Sequence, residues 1–354
     1  MAVQEVDCNG PGLTRRKAGK GWYVVDDDGS RVDDEAVRER VERLAIPPAW
    51  TDVWICSDPE GHIQATGVDA KGRRQYRYHD EWRAARDREK HDRMLRFARR
   101  LPDLREKVNA DLALDGMPRE RVLAAAARLL ELGFFRIGGE AYAEENDTYG
   151  LATLRKGHVK VRGDSLVFDY DAKSGQRRVC EVDDPDVREV VVTLRRRRAP
   201  ADAELLAYRD VDRGWVDVKS SDINGYLQDA IGDEFTAKDF RTWVGTVLAA
   251  AGLAAEEPGD SERARRRAVA SVVRNVAEHL GNTPAVARSA YIDPRVVERF
   301  ESDDTVVDVL EELDEDDLQG GVPEELELAV VKLIDRARRS RARARRSRRG
   351  AKKR

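Results

Sequence analysis

The chain has 354 residues, of which 41% are hydrophobic and 37% are charged, so it is long enough to bury a core and to form two domains. No apolar run approaches the ~20 residues that cross a bilayer, and the N-terminus lacks the apolar segment of a signal peptide. The three scattered cysteines form no CxxC pair, which argues against a disulfide framework or a zinc site and favours a reducing cytoplasm.

The net charge of −4 hides an uneven distribution. Residues 336–354 contain 12 Arg and Lys and no acid, whereas the preceding 335 residues contain 52 basic and 68 acidic residues. If the protein binds nucleic acid, its body must gather its basic residues on one face, because its bulk charge is negative.

Residues 1–90 are predicted to form a small β-rich domain. The stretch "GWYVVDDDGSRV" (21–32) has the pattern of a strand, a turn at Asp28-Gly29 and a second strand. Aromatic and polar residues alternate over 46–79, and breaks at 59–61 and 71–72 indicate hairpins.

Residues 91–300 are predicted to form a mainly helical domain with a short β-sheet, which gives an α+β fold. The helical pattern begins at Glu81 and includes an Ala/Leu helix that ends near Gly133. Alternation over 158–182 predicts strands joined by "RGD" and "KSG" turns, and the remainder is predicted to be helical to about residue 300. The helical pattern over 263–281 carries one apolar stripe: Val269, Val272, Val273, Val276 and Leu280.

The C-terminal part divides in two. Residues 301–335 are predicted to be an acidic helical segment, with ten acids and no base in 301–318, and 336–354 a disordered basic tail. The tail is either a solubilising end or a non-specific DNA arm whose effect fades with salt, and we favour the arm because its like charges repel unless a polyanion screens them. We also hypothesise that the acidic segment pairs with the tail in the free protein.

Five stretches of the chain can be compared with known motifs: "GRRQYRYH" (72–79), "FFRIGGEAYAEENDTYGLATLRKGHV" (134–159), "FDYDAKSG" (168–175), "FTAKDFRTWVGT" (235–246) and "LGNTPAVARSAYIDP" (280–294). In their order and approximate spacing they resemble the DNA topoisomerase IB family in its compact bacterial and poxvirus-like form. The resemblance covers about residues 20–300 and implies the fold shared by topoisomerases IB and tyrosine recombinases.

The resemblance implies that Tyr291 is the nucleophile and forms a 3′-phosphotyrosyl bond with DNA. An ordinary tyrosine has a pKa near 10, so a tyrosine nucleophile needs cationic neighbours or a proton acceptor at neutral pH. Asp293-Pro294 has the pattern of an N-cap and first helical residue, which places Tyr291 in a junction. By position alone, it would be a core or rim aromatic.

Two arginines match those that hold the scissile phosphate in the family, Arg136 in "FRIGG" and Arg241 in "KDFRTW". A guanidinium group can bind two phosphate oxygens at once and stays charged. Most arginines of this chain are expected to be solvated surface charges, but these two lie among apolar and aromatic residues in the sequence.

Lys173 matches the family lysine that protonates the leaving 5′ oxygen. Arginine outnumbers lysine 51 to 13 in this chain, so a lysine in a turn mildly suggests that a transferable proton is needed there. Asn282 stands where many family members carry a histidine, and an amide can donate a hydrogen bond to phosphate but cannot titrate. His279 is a weak substitute, because it falls inside the preceding helix.

Further DNA contacts are implied for Arg73, Arg74, Gln75 and Tyr76 on an N-terminal strand, and for Tyr142 and Lys238 in matched motifs. Alternating basic and aromatic residues suit phosphate and sugar contacts, although the same pattern fits an ordinary exposed hairpin.

The sequence thus predicts a monomeric, cytoplasmic and nucleoid-associated enzyme that relaxes double-stranded DNA without cofactor, metal or ATP. Two alternatives remain open. A tyrosine recombinase shares the Arg, Lys, Arg and Tyr chemistry but usually presents a HxxR box, where this chain has residues 238–241 as "KDFR". A non-enzymatic DNA-compacting protein would act through the basic tail.

Overall fold

The computed structural model describes residues 3–19, 21–132, 135–140, 143, 147–256, 261–313 and 321–351, with side chains described as far as residue 339 except at Ser174. The chain divides into two compact units, residues 1–92 and 93–354. Within the described part of the chain, no helix is long and apolar enough to span a membrane.

The first unit is built on a five-stranded antiparallel sheet in the order β2-β1-β3-β4-β5. Its elements are β1 (Leu13–Ala18), β2 (Gly21–Val25), α1 (Glu35–Arg43), β3 (Thr51–Ile55), β4 (Ile63–Val68) and β5 (Arg74–Tyr78). Helix α1 begins at Asp34, whose carboxylate accepts from the Ala36 and Val37 backbone amides. A small apolar core lies on the sheet, formed by Val24, Val53, Ile55 and Ala65 with partly buried neighbours.

Helix α2 (Asp80–Leu112) begins one residue before the predicted helical start. The second unit continues with α3 (Arg119–Leu132), β6 (Val159–Arg162), β7 (Ser165–Ala172), β8 (Gln176–Val182), α4 (Pro185–Arg196), β9 (Ala207–Asp210), β10 (Gly214–Asp217), α5 (Ser220–Ile231), α6 (Ala237–Ala255), α7 (Glu262–His279), α8 (Pro294–Phe300), α9 (Val307–Glu312) and α10 (Glu324–Ala351). The mixed α+β architecture with a mainly helical second unit agrees with the predicted fold class.

Two helices form the middle of the second unit. All five members of the predicted apolar stripe on and after α7 are buried, which confirms that stripe. Helix α6 is apolar around most of its surface and is buried along nearly its whole length, as expected for a central helix. These helices matter for the site because α6 carries Arg241 and α7 ends two residues before Gly281.

The predicted β interruption is a three-stranded antiparallel sheet in the order β6-β7-β8. Strand β7 buries Leu166, Phe168, Tyr170 and Ala172 on one face, because successive side chains of a strand alternate between its faces. The "KSG" turn, Lys173–Gly175, joins β7 to β8, and Gly175 has a φ of +67°, a conformation that favours glycine.

The structure differs from three local expectations. Strands β9 and β10 form a hairpin in a region predicted to be helical, and its alternation was obscured by charged residues in both strands. The second strand expected within 21–32 is only an isolated bridge between Val25 and Arg31. Helix α10 runs to Ala351, into the tail predicted to be disordered, and the alanines and arginines there have high helix propensity.

Candidate active site

The end of helix α7 holds three arginine side chains. The last carbonyl groups of a helix lack partners within the helix and carry the negative end of its dipole, so they attract cations. Three successive carbonyls accept one arginine each: Arg178 Nη1 donates to His279 O at 3.2 Å, Arg241 Nη2 to Leu280 O at 2.6 Å, and Arg136 Nη2 to Gly281 O at 2.6 Å. Three separate elements thus deliver guanidinium groups to one place.

Arg136 lies on a loop that is fixed by close backbone packing. The Leu151 amide donates to the Arg136 carbonyl at 2.8 Å, and a Cβ on Gly150 would lie 2.4 Å from the Gly138 amide nitrogen. Gly138 itself has a φ of +84°, which a side chain would strain. The glycines of "FRIGG" and "TYG" therefore allow the loop that presents Arg136.

Arg241 is almost completely buried, with 3% of its surface exposed. Burial, together with the positive charge of Arg136, lowers its pKa to about 10, although the charge of Tyr291 and a hydrogen bond with its side chain oppose this shift. Burial also lowers the pKa of Arg136. Both groups remain charged at neutral pH, so the site holds desolvated positive charge that an anion would stabilise.

Tyr291 lies beside this positive charge. It ends a π-helical turn, Ala287–Tyr291, just before helix α8, whose N-cap Asp293 accepts from the Arg295 backbone amide. The predicted helix start at Asp293-Pro294 is therefore confirmed. The Arg241 guanidinium carbon lies 5.3 Å from the centroid of the Tyr291 ring, and the tyrosine is half-buried.

Thr246 on helix α6 fixes the backbone around Tyr291. Its hydroxyl accepts from the Asp293 amide at 3.1 Å and has two carbonyl acceptors for its single proton, that of Tyr291 at 3.2 Å and that of Thr242 at 3.0 Å. The next residue toward the helix start, Gly245, permits the tyrosine to approach, because a Cβ there would lie 2.8 Å from the Tyr291 carbonyl oxygen. Helix α6 thus positions both Arg241 and the tyrosine.

Asn282 joins the arginine-binding turn. Its Oδ1 accepts from Arg136 Nη2 at 3.1 Å, and its Nδ2 donates to the Leu280 carbonyl at 3.2 Å. Gly281 makes this turn possible with a φ of +59°. The amide therefore lies next to Arg136, where it can exchange its backbone partner for a ligand oxygen.

Lys173 is exposed at the tip of the β7–β8 hairpin. The residues on either side of the turn, Ala172 and Gln176, line an open cavity of about 1090 Å³ together with Arg136 and Asn282. The structure thus places the turn at the border of the site, with the lysine at its tip.

The predicted histidine substitute lies at the same cavity. His279 is the last residue of α7, as the helical pattern indicated, and burial and the charges of Arg178 and Arg241 lower its pKa. The neutral form is therefore favoured, which does not suit a proton donor at neutral pH.

The remaining predicted DNA contacts are distributed over both units. In the first unit, Tyr76 is 40% exposed and stacks on Tyr78 at 5.9 Å, whereas Arg73 and Gln75 both bind the Asp69 carboxylate. Hydrogen bonds from Arg73 are the main cause that lowers the pKa of Asp69 to about 2.

Arg74, on the same strand, lies 6.0 Å from the Tyr76 ring and within reach of the Asn9 side chain. In the second unit, Lys238 is exposed in the first turn of α6. Tyr142 lies outside the described residues.

Sequence reasoning missed three residues of this site. Gly245 and Thr246 lie in the motif "FTAKDFRTWVGT", in which only Lys238 and Arg241 are predicted site residues, and Arg178 lies in a segment predicted only to form strands. The alternation of β8 could have placed Arg178 on the face opposite to Arg177, whereas the contacts of Gly245 and Thr246 with Tyr291 depend on tertiary packing.

Comparisons with known proteins identify the family of this chain. Residues 79–312 match the family model of the eukaryotic DNA topoisomerase I catalytic core, and residues 21–69 match that of the bacterial DNA topoisomerase IB N-terminal domain. The DNA topoisomerase 1B of Acanthamoeba polyphaga mimivirus is 30% identical over 299 residues, which span 82% of this chain and 88% of the viral protein.

Two further relatives match shorter regions. The DNA topoisomerase 1B of Vaccinia virus (strain Copenhagen) is 26% identical over 40% of this chain and 46% of its own length. The DNA topoisomerase 1 of Candidozyma auris is 28% identical over 41% of this chain and 19% of its own length. From the two family matches and the similarity to the mimivirus protein, the chain belongs to the DNA topoisomerase IB family and is a type I DNA topoisomerase.

Proposed function

We propose that this enzyme relaxes positive and negative supercoils by cutting one strand of double-stranded DNA, letting the free end swivel and rejoining it. The observation that carries the proposal is the pair of desolvated guanidinium groups, Arg136 and Arg241, beside the half-buried Tyr291. A phosphodiester bound there would place its negative charge beside these two guanidinium groups.

In the attack step, the Tyr291 oxygen binds to the scissile phosphorus as the phenol loses its proton to solvent. Arg136 and Arg241 donate to the non-bridging oxygens, on which negative charge grows. The Asn282 Nδ2 group can add a neutral donor to the same phosphate, because the contact of Asn282 Oδ1 with Arg136 holds the amide beside that arginine. The product of attack is a 3′-phosphotyrosyl bond.

In the same step, the bond between phosphorus and the 5′ oxygen breaks. We propose that Lys173 gives this oxygen its proton, after the hairpin tip has moved toward the cavity on DNA binding. Lys173 and Gly175 are both exposed, so neither has to leave a buried position for such movement. Asn282 cannot titrate, so it cannot share this task.

Rejoining reverses both transfers: the 5′ hydroxyl attacks the phosphotyrosyl bond, Lys173 takes its proton, and the tyrosine leaves. The phosphotyrosyl bond retains the energy of the DNA linkage, so we propose that no ATP is required. We also propose that no metal is required, because the guanidinium groups stabilise the charge of the transition state.

DNA binding outside the reaction is proposed for Arg73, Arg74, Gln75 and Tyr76 in the first unit and for Tyr142 and Lys238 in the second. Every described group of the reaction comes from one chain, so we further propose that a monomer suffices. Sedimentation of the active enzyme tests this proposal by giving its oligomeric state. If a dimer were required, the specific activity would also rise with protein concentration.

Plasmid relaxation in EDTA and without ATP tests the reaction, with wild type and Tyr291→Phe compared. We expect relaxation of both supercoil signs by wild type alone, and a denaturation-resistant protein–DNA adduct through the 3′ phosphate. Recombined products at one special site would instead indicate a recombinase, and relaxation by Tyr291→Phe would exclude the covalent mechanism.

A further inference from the structure

A third arginine faces the same site, and its role rests on the proposed function. We propose that Arg178 binds a backbone phosphate of the DNA in this cavity, beside the phosphate held by Arg136 and Arg241.

The strand places Arg178 on the face that leads to the site. In the register of β7 and β8, Arg178 is opposite Tyr170, and Cys180 is opposite Phe168. Side chains that are directly opposite share a face, so Arg178 lies on the buried face of the sheet. Arg177 lies on the other face, where its guanidinium binds both oxygens of the Asp169 carboxylate at 2.8 Å.

The same helix end that orients the two predicted arginines also orients Arg178. Its Nη1 donates to the His279 carbonyl, one residue before the carbonyl that accepts from Arg241. A Cβ on Gly281 would lie 3.5 Å from Arg178 Nη1 and 3.7 Å from Arg136 Nη1, so both guanidinium groups flank this glycine. Arg178 is thus an immediate neighbour of a proposed phosphate ligand.

Grouping three cations in this way has an electrostatic cost. The charge of Arg178 contributes to the lowered pKa of Arg136, of Arg241 and of His279. The three carbonyl oxygens at the end of α7 orient these guanidinium groups, and each carries only a partial negative charge. A chain of phosphates would offset the repulsion, because each phosphate brings a full negative charge.

Access is available from the cavity that Arg178 lines together with Arg136 and Asn282. The same strand begins at the turn that carries Lys173, so DNA that brings the hairpin tip to the site also meets Arg178. A structural arginine on β8 would not need to face a wide, open cavity of this size.

The test compares two variants, Arg178→Ala and Arg177→Ala. Each removes one positive charge from β8, but Arg177 lies on the opposite face of the sheet. Both are made in the Tyr291→Phe background, so that binding of a 30-base-pair duplex is measured without cleavage between 50 and 300 mM salt. We expect Arg178→Ala to lower the salt slope of log K by about 0.9, the value for one lost phosphate contact. Arg177→Ala should change it by less than half as much, because Asp169 already neutralises that arginine.

With Tyr291 intact, we expect Arg178→Ala to slow single-turnover cleavage at least tenfold, and Arg178→Lys to restore part of both effects. Circular dichroism and thermal unfolding of each variant report the fold, and Arg178→Gln replaces the alanine variant if that one unfolds. Equal salt slopes for the variants at 177 and 178 would overturn the inference. If wild type failed to relax DNA, the proposed function would fail instead, whereas the binding comparison would still report on Arg178.

Discussion

A Cβ atom on Gly245 would lie 2.8 Å from the carbonyl oxygen of Tyr291 and 3.1 Å from the tyrosine Cβ. Helix α6 therefore touches the backbone of the proposed nucleophile directly, one turn after Arg241. Since Thr246 binds the same carbonyl, the helix sets the distance between the arginine and the tyrosine.

Gly245→Ala tests this relationship. The new methyl group must push the tyrosine backbone away, and a displacement near 1 Å of a reacting group can cost on the order of 100-fold in rate. We expect single-turnover cleavage to fall by about that factor, while DNA binding changes little.

Gly225→Ala in helix α5 is the matched control, because a Cβ there meets nothing within 4 Å. It should keep full activity and gain up to ~1 kcal/mol in the free energy of unfolding from helix propensity. An unimpaired cleavage rate for Gly245→Ala would show that the tyrosine position is not set by α6.

Arg136 could be predicted from a sequence motif, whereas the contact of Gly245 with Tyr291 could not. Motif resemblance identified Arg136, Arg241, Asn282 and Tyr291, and the structure brings all four together at the end of helix α7. Local patterns also predicted the buried stripe of α7, the cap at Asp293 and the three-stranded sheet. These features depend on residues near one another in the sequence.

Other features depend on contacts between distant elements. Three successive carbonyls at the end of α7 each accept from one arginine, but nothing in the sequence marks a backbone carbonyl as a ligand. The continuation of helix α10 beyond residue 335 differs from the predicted disordered tail, because an arginine-rich composition is shared by helices and by disordered tails. Only packing shows that its first half belongs to the core.

Helix α10 supports the site through Glu327. This buried carboxylate accepts from Trp243 Nε1 and from Arg105 Nη2, each at 2.7 Å, and Trp243 lies two residues after Arg241 on α6. Helix α10 lies beyond residues 79–312, which match the catalytic-core family model. An element outside that match therefore braces the helix that carries the phosphate-binding arginine.

We expect Glu327→Ala to lower the free energy of unfolding by about 2–3 kcal/mol, because Trp243 and Arg105 lose a buried partner, although Arg105 keeps Glu131. Urea unfolding gives this value, and relaxation assays should show reduced activity. The exposed neighbour Glu325 provides the control, and Glu325→Ala should remain within ~0.5 kcal/mol of wild type. Similar losses at both positions would contradict the bracing role.

The proton donor is tested by changing the leaving group. Lys173→Ala should slow cleavage of normal DNA by roughly 10²–10⁴-fold, the usual contribution of a general acid. With a bridging sulfur in place of the 5′ oxygen, the rate should recover, because a thiolate leaves without being protonated.

Two variants make this test specific. Lys173→Arg should remain slow on normal DNA, since a guanidinium does not release a proton usefully, although its charge is the same. Arg136→Ala should not recover with the sulfur substrate. If the sulfur left Lys173→Ala as slow as before, the lysine would have a role other than proton transfer.

His158 gives the stability of the enzyme a pH dependence. Its ring lies against those of Tyr149 and Tyr170, and burial, together with the charge of Arg155, lowers its pKa. The unfolded chain takes up a proton near pH 6.5, whereas folded His158 does so only at lower pH. This histidine therefore favours folding above pH 6.5, and its contribution is lost as the pH falls below that value.

We expect the free energy of unfolding to decrease between pH 7.5 and 5.5, and His158→Asn to make this decrease smaller. Asparagine keeps an acceptor for the Arg155 amide, which Nδ1 of the histidine now accepts at 3.2 Å. Urea unfolding at several pH values measures both slopes, and parallel slopes would mean that His158 titrates alike in both states.

The basic tail can be separated from the core at residue 340. Leu326, Val330, Leu333, Ile334 and Ala337 of α10 are buried, and Arg336 binds both oxygens of the Asp304 carboxylate at 2.8 and 3.2 Å. Removing the chain from 336 onward would therefore disturb the second unit, whereas removing 340–354 deletes nine basic residues beyond these contacts.

We expect the enzyme lacking 340–354 to unfold at the wild-type temperature and to relax plasmid fully at low salt. Its relaxation should become distributive at a lower salt concentration than that of wild type, because fewer counterions are released on DNA binding. Truncation at 324 should instead abolish folding, since each buried side chain of α10 contributes about 1.5–3 kcal/mol. Complete loss of relaxation at low salt without 340–354 would mean that the tail, and not the site at the end of α7, provides the essential grip on DNA.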